Sequence, residues 1–327
     1  MDITMLNVYS DDQLRLLARL YYADGLGQAE VARLARVSQA KVSRLLALAR
    51  ERGIVRITVA DYDPRRTDLE AELRRRLGLV ETVVIKTAGT DAREATGRFG
   101  AAAVAGVIRK GDVVALAGGR TLQALAPHVP ADLMRQPVLV QAMGSVEPSA
   151  SAHDAQEIGR VMTQRLGGTF LALNAPAFIP DKRTRDTLVS LEQVRSVQQH
   201  LSRARVALVG IGTLTNSVFA ERGTLDAAMV RELERAGAVG EICGRFFDER
   251  GRECATGWRD RVISVELAQL RRVPLALAVV SGTDRTAAIE AAVRGGLIKG
   301  LVIDESGAEA LLAVTPATRK SDARGAK

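Results

Sequence analysis

Cysteine is nearly absent: Cys243 and Cys254 are the only two in 327 residues. They exclude a disulfide framework, and their spacing gives no metal-ligand pattern. The three histidines, His128, His153 and His200, are scattered and add no metal set. No apolar run nears the ~18–20 residues of a membrane span, because Gly, Pro or charge interrupts each one. Asp2, Asp11 and Asp12 stand where a secretory leader needs positive charge and an apolar core. The expectation is a soluble, cytoplasmic chain with no membrane partner. Neither G-x-x-x-x-G-K-[ST] nor G-x-G-x-x-G occurs, so NTP hydrolysis and dinucleotide chemistry lack support. No cofactor and no metal are expected.

What is present is a length suited to two domains, since ~100–200 residues per domain is usual. A hydrophobic fraction of 47% fits a globular chain. The net charge of +8 favours polyanionic partners, either nucleic acid or phosphorylated ligands. Lys supplies only seven of the 46 basic residues. Arg forks suit phosphate, although Ala/Arg/Gly richness also follows from a GC-rich genome.

Residues 1–60 read as a helical unit. Leu14, Leu17, Ala18 and Tyr21 give helical spacing from Asp11 to Ala23, and Gly25-Leu26-Gly27 breaks it. Short and long helices follow over Gln28–Ala35 and Gln39–Arg52, with a turn at Arg36-Val37-Ser38 between them. The alternation of residues 54–59 predicts a short strand. Residues 61–66 read as a linker. From Thr67, Leu69, Leu73 and Leu77 start a helix that Gly78 can end. Beyond Val80, short β-rich runs at 82–85, 113–116, 138–140, 206–209, 275–280 and 301–303 alternate with helical patterns at 92–108, 155–166 and 286–294. That texture predicts a mostly parallel sheet covered on both faces, in a second domain over 67–318. Residues 319–327 read as a polar tail.

Gln28–Leu46 carries the strongest motif. Val31, Ala32, Ala35, Val37, Val42 and Leu45 suit the inward faces of a helix-turn-helix, with Ala32 at the crossing. Gln39, Ala40, Lys41, Ser43 and Arg44 then form the outward face of the second helix, where base edges and phosphates are contacted in a major groove. Between Gly27 and Arg56, seven basic residues face two acidic ones, the footprint of a DNA-binding unit. An ordinary helical hairpin with a solvated basic face is the alternative. Arg36 stands where such turns often have Gly, so it must adopt a left-handed conformation costing roughly 1–2 kcal/mol, or the turn differs.

In the second domain, four strands run into small or polar loops: Gly118-Gly119-Arg120-Thr121, Gly144-Ser145 after Gln141, Gly210-Ile211-Gly212-Thr213, and Ser281-Gly282-Thr283-Asp284-Arg285. Ligands of open α/β sheets bind at such strand ends, where helix N-termini offer N–H groups. Four of them point to a small anionic ligand, while each alone is also explained as a strand-helix turn. A further run, Glu241 to Asp248, sets acids and Arg245 beside two of only six Phe. Glu241 could accept sugar hydroxyls and Arg245 serve a phosphate or an ion pair, or the run is a strand with a buried aromatic pair. Asp304-Glu305 could bind hydroxyls or cap the final helix.

The helix-turn-helix, the Gly118–Thr121 loop, the Glu241–Asp248 run and the terminal Ser281–Glu305 segment together resemble the SorC family of bacterial sugar-responsive transcriptional regulators, also grouped with DeoR-type regulators. The resemblance extends to about residue 315. It implies a Rossmann-like effector domain related to glucosamine-phosphate deaminases and ribose-phosphate isomerases, assembled as dimers or tetramers. It also implies a regulator of a carbohydrate operon that binds double-stranded operator DNA under the control of a sugar phosphate. Arg120 and Thr121 would help hold the phosphate, and Gly212 and Thr213 would lie near the ligand. Glu241 falls where relatives commonly have Asp facing sugar hydroxyls, and Arg285 where they commonly have Lys. The full candidate effector set is Gly119, Arg120, Thr121, Gln141, Gly144, Gly212, Thr213, Glu241, Arg245, Arg285 and Glu305. An unphosphorylated sugar or polyol is the alternative effector. A sugar-phosphate isomerase or deaminase with a DNA-binding appendage would need acid–base groups among Glu241, Asp304, Glu305 and His153.

Overall fold

Ser10 starts the first helix by a reciprocal cap: its hydroxyl accepts from Gln13 N–H at 3.3 Å, and the Gln13 amide oxygen accepts from Ser10 N–H at 2.9 Å. In the computed structural model, which describes residues 9–146 and 151–315, the chain divides into two units between Asp63 and Pro64. The residues expected to form a polar tail lie outside the described residues.

In the first unit, α1 (Asp11–Ala18) runs into a wider helical turn at Arg19–Ala23, followed by α2 (Gln28–Ala35) and α3 (Gln39–Glu51). Arg36 does take the left-handed conformation, with φ 53° and ψ 43°. The Val37 N–H reaches back to Ala32 O at 3.0 Å, and Ser38 caps α3 through Lys41 N–H at 3.2 Å. Leu14, Leu17, Val31, Ala32, Val42, Leu45, Leu46 and Ala49 form the buried core. The strand expected over residues 54–59 is not formed. Ile54 and Val55 pack onto this core, whereas Ile57 and Val59 are exposed and the segment has no strand partner among the described residues. Alternation sets which face a strand would bury; it does not supply the neighbour that makes one.

The second unit is built on a seven-stranded parallel sheet. Its elements in chain order are α4 (Thr67–Leu77), β1 (Glu81–Ile85), α5 (Ala92–Val107), β2 (Val113–Leu116), α6 (Arg120–Leu125), β3 (Val138–Gln141), α7 (Ala155–Leu166), β4 (Thr169–Leu171), α8 (Lys182–Ser190), α9 (Glu192–Leu201), β5 (Val206–Val209), α10 (Val218–Glu221), α11 (Ala227–Arg235), β6 (Ala238–Ile242), β7 (Arg245–Asp248), α12 (Leu267–Arg272), β8 (Leu275–Val279), α13 (Thr286–Arg294), β9 (Gly300–Asp304) and α14 (Glu305–Val314). Strand order is β1-β9-β8-β5-β2-β3-β4, and β6 pairs antiparallel with β7 in a separate hairpin. All of β5 and β9 is buried, which is why these strands read as unbroken apolar runs rather than alternating ones.

Pro64–Arg66, expected to be linker, instead belongs to this unit. Arg65 bridges Ile85 antiparallel, Lys86 N–H donates to Pro64 O at 2.8 Å, and Arg66 N–H donates to Val84 O at 2.9 Å. The carboxylate of Glu70 on α4, 1% exposed, accepts Arg65 Nε and Nη2 at 2.7 Å each and Val84 N–H at 3.1 Å. The Glu241–Asp248 run is the β6–β7 hairpin, with Cys243 (φ 52°) and Gly244 (φ 77°) as the two turn residues. A small apolar cluster supports it. Trp258 stacks on Phe178, packs edge-on to Phe219 and Phe246, and donates from Nε1 to Gly244 O at 2.7 Å.

Candidate functional site: the cavity at the strand ends

Because every sheet strand runs the same way, the loops after β2, β3, β5 and β8 open on one edge, and the tip of the β6–β7 hairpin reaches the same place. Together they enclose a cavity of about 160 Å³, room for a small metabolite. Gly119, Arg120 and Thr121 line it from the start of α6, Gln141 and Gly144 from the end of β3, Gly212 from the loop after β5, Glu241 from β6 and Arg285 from the start of α13.

Gly119 has φ 139° and ψ 151°, a conformation that side-chain-bearing residues avoid. Its N–H donates to His153 O at 2.8 Å, which fixes the loop just before the first N–H groups of α6. The Thr121 and Ser281 hydroxyls meet across the cavity floor at 3.3 Å. Arg120 pairs with Glu221 at 2.8 Å, and Arg285 pairs with Asp284 at 3.1 Å. Gln141 is spent on structure at least in part, since its amide accepts Leu173 N–H and donates to Met143 O.

Glu241 is the most unusual group here. Its carboxylate accepts the Gly244 N–H, and a side chain at Gly212 would meet Oε2 at 2.6 Å, so a larger residue there would push this carboxylate out of place. Burial pushes its pKa up to about 7, opposed by the Gly244 hydrogen bond. Around neutrality it can therefore carry a proton and donate, or lose it and accept. Burial likewise pushes the neighbouring Cys243 thiol up, away from thiolate chemistry.

Three of the expected residues do not line the cavity. Thr213 sits beside it, its N–H held by Asn216 Oδ1 and its hydroxyl exposed toward Thr215. Arg245 turns away into the protein, to Glu253 at 2.7 Å, Ser264 Oγ and Val265 O at 3.0 Å each. Of its two sequence readings, the ion pair is the observed one. Glu305 faces the β1 side, where Thr87 N–H and hydroxyl donate to it at 2.9 and 3.0 Å and Arg66 approaches at 3.4 Å. The Thr87 amide bond, helped by Arg66, holds its carboxyl below the usual range. Asp304 caps α14 through Gly307 N–H at 3.0 Å and also takes Gly282 N–H at 2.6 Å. Of the four acid–base candidates only Glu241 and His153 line the cavity.

The sequence reading missed Arg93 on α5, Asn216 and Ser217. Arg93 belongs to an amphipathic helix with no loop signal. Asn216 lies one turn beyond the glycine pair, and only its bonds to Thr213 N–H and Asp284, the latter at 2.6 Å, reveal it as the brace between two loops.

Residues 64–313 match the Sugar-bind family, described as "Putative sugar-binding domain". The chain belongs to the SorC-type sugar-binding-domain family. The match begins at Pro64, the first residue of the large unit, and so covers the whole cavity-bearing fold. Among relatives, the chain is 28% identical to the sorbitol operon regulator of Klebsiella pneumoniae over 93% of this chain and 99% of that one. It is 29% identical to the erythritol catabolism regulatory protein EryD of Brucella abortus, over 93% and 97%. The crystal structure of the full-length K. pneumoniae regulator superposes with a TM-score of 0.69 at 27% identity, covering 93% of this chain and all of that one. These SorC-type relatives are regulators by name, and no helix among the described residues is long and apolar enough to cross a membrane.

Proposed function

We propose that this protein is a cytoplasmic, homo-oligomeric transcriptional regulator of a carbohydrate operon, whose α2–α3 helix-turn-helix binds operator DNA under control of a sugar phosphate. The observation that carries the effector reading is the cavity at the strand ends, which combines Arg120 and Arg285 with two facing hydroxyls and a helix start. A phosphate would sit at the start of α6, taking the first free N–H groups and the Thr121 hydroxyl, while Glu241 and Asn216 would face sugar hydroxyls. The DNA reading is supported by the outward face of α3: Gln39, Ala40, Ser43 and Arg44 are exposed beside a buried core. Lys41 is half-buried, its ammonium 4.9 Å from the Tyr9 ring, so its reach to a phosphate is shorter than that of Arg44. A dimer or tetramer would present two such helices to half-sites spaced by whole turns of ~34–36 Å.

Operator footprinting with a panel of sugar phosphates tests this. One compound should change occupancy of a protected site; no protection at low salt would overturn the DNA reading. Two substitutions separate the activities. Arg44→Ala should weaken operator binding by roughly 10-fold or more and leave ligand binding unchanged. Thr121→Ala should lower effector affinity by about 10-fold with operator affinity intact, as read by gel shift and calorimetry on the same preparations. An unphosphorylated polyol is the second reading, favoured by the buried carboxyl of Glu241 and by relatives named for sorbitol and erythritol. A thermal-shift comparison of a polyol with its phosphate ester decides between them.

A further inference from the structure

Three arginines line the cavity, and their surroundings differ. The charge of Arg120 is matched by Glu221 and that of Arg285 by Asp284. Arg93 is exposed, and among the described residues its guanidinium has no hydrogen-bond or ion-pair partner. Its neighbour Asp91 is already occupied, accepting Arg93 N–H at 2.9 Å and Glu94 N–H at 3.0 Å as the cap of α5. The α5 start therefore offers the cavity no backbone cradle, only the Arg93 fork. This is a second positive locus, on a different helix from the Gly119–Thr121 loop.

We propose that Arg93 reads a second acidic group, so that the preferred ligand is a small polyhydroxylated molecule with two anionic groups: a phosphate at the α6 start and a carboxylate or second phosphate at Arg93. The proposal rests on the sugar-phosphate reading above. A guanidinium fork pairs with either group in two parallel hydrogen bonds, and such a pair discriminates against a hydroxyl in the same place. Glu241 and Asp154 also line the cavity, and Asp154 is engaged by Ser151 N–H at 2.9 Å. Neither carboxyl compensates Arg93.

The full-length protein is titrated calorimetrically with two matched pairs: 6-phosphogluconate against glucitol 6-phosphate, and glucose 1,6-bisphosphate against glucose 6-phosphate. The expected result is at least 10-fold tighter binding of the two-acid member of one pair. The pair showing it distinguishes carboxylate from phosphate. R93Q should abolish that preference without changing affinity for the one-acid member, and R93K should keep much of it. Melting temperature should be unchanged in both variants because the side chain is exposed. Equal loss for both members in R93Q, no loss for either, or no preference in the unsubstituted protein overturns the proposal. If no compound of either pair binds the unsubstituted protein, the sugar-phosphate reading fails and this proposal with it.

Discussion

Replacing Arg65 with Ala is expected to lower the melting temperature of the large unit by roughly 10 °C, equivalent to about 3–5 kcal/mol. The reason lies in Glu70, which is 1% exposed and holds Arg65 through two bonds of 2.7 Å. Without Arg65 a buried carboxylate keeps only Val84 N–H at 3.1 Å and Arg74 at 3.5 Å. Two charge-assisted hydrogen bonds vanish while the desolvation of the anion remains. Glu70→Gln should cost less, because the Arg65 side chain is 39% exposed and can return to water. The double variant Arg65→Ala/Glu70→Gln should therefore be more stable than Arg65→Ala alone. Thermal unfolding of the three variants checks this ordering; equal loss in Arg65→Ala and the double variant would mean that Glu70 is not stranded.

The second large effect is a pH dependence located in Glu241. In the folded protein burial keeps this carboxyl protonated up to about pH 7, whereas in the unfolded chain it ionises near ~4.3. Between those values the folded state binds one more proton, so its stability is greatest at the acidic end and falls as pH rises through the window. The whole fall amounts to roughly 3–4 kcal/mol. Glu241→Gln keeps the shape and removes the titration. The difference in stability between wild type and this variant should slope with pH from about 4.5 to 7 and flatten above. A flat difference across that range would show that the carboxyl ionises normally. Ligand hydroxyls that donate to an ionised Glu241 would bind more tightly as pH rises, which calorimetry at two pH values detects.

Most of the sheet was legible because its strands are buried on both faces and stand out as apolar runs between helices. The missing strand, Thr169-Phe170-Leu171, has three residues at the sheet margin, too few to show a pattern. The hairpin at Glu241–Asp248 was visible as chemistry but not as geometry, because Cys243 occupies a left-handed position that glycine or asparagine usually announces. At the site, loops carrying Gly, Ser and Thr were readable since such residues are chosen for backbone approach and hydroxyl donation. Side-chain direction was not. Arg245 and Glu305 sit near the expected strand ends, yet one turns inward to Glu253, Ser264 and Val265 and the other toward Thr87. Arg93 was missed for the opposite reason: a charged residue on a helix surface carries no local signal of the cavity it faces.

The chain at Pro64–Arg66 also closes an open margin. β1 is the outermost strand of a parallel sheet, and an unpaired outer strand is a template for adding strands from other molecules. Here the entering chain lies antiparallel along that margin, bonded at Val84 O and Lys86 N–H, and begins with a proline that has no N–H to offer onward. The opposite margin, β4, is only three residues long. Protection against edge-to-edge aggregation is thus built into the stretch that joins the two units, and a large unit cut free after Arg66 would expose the strand from Glu81 to Ile85 to its neighbours.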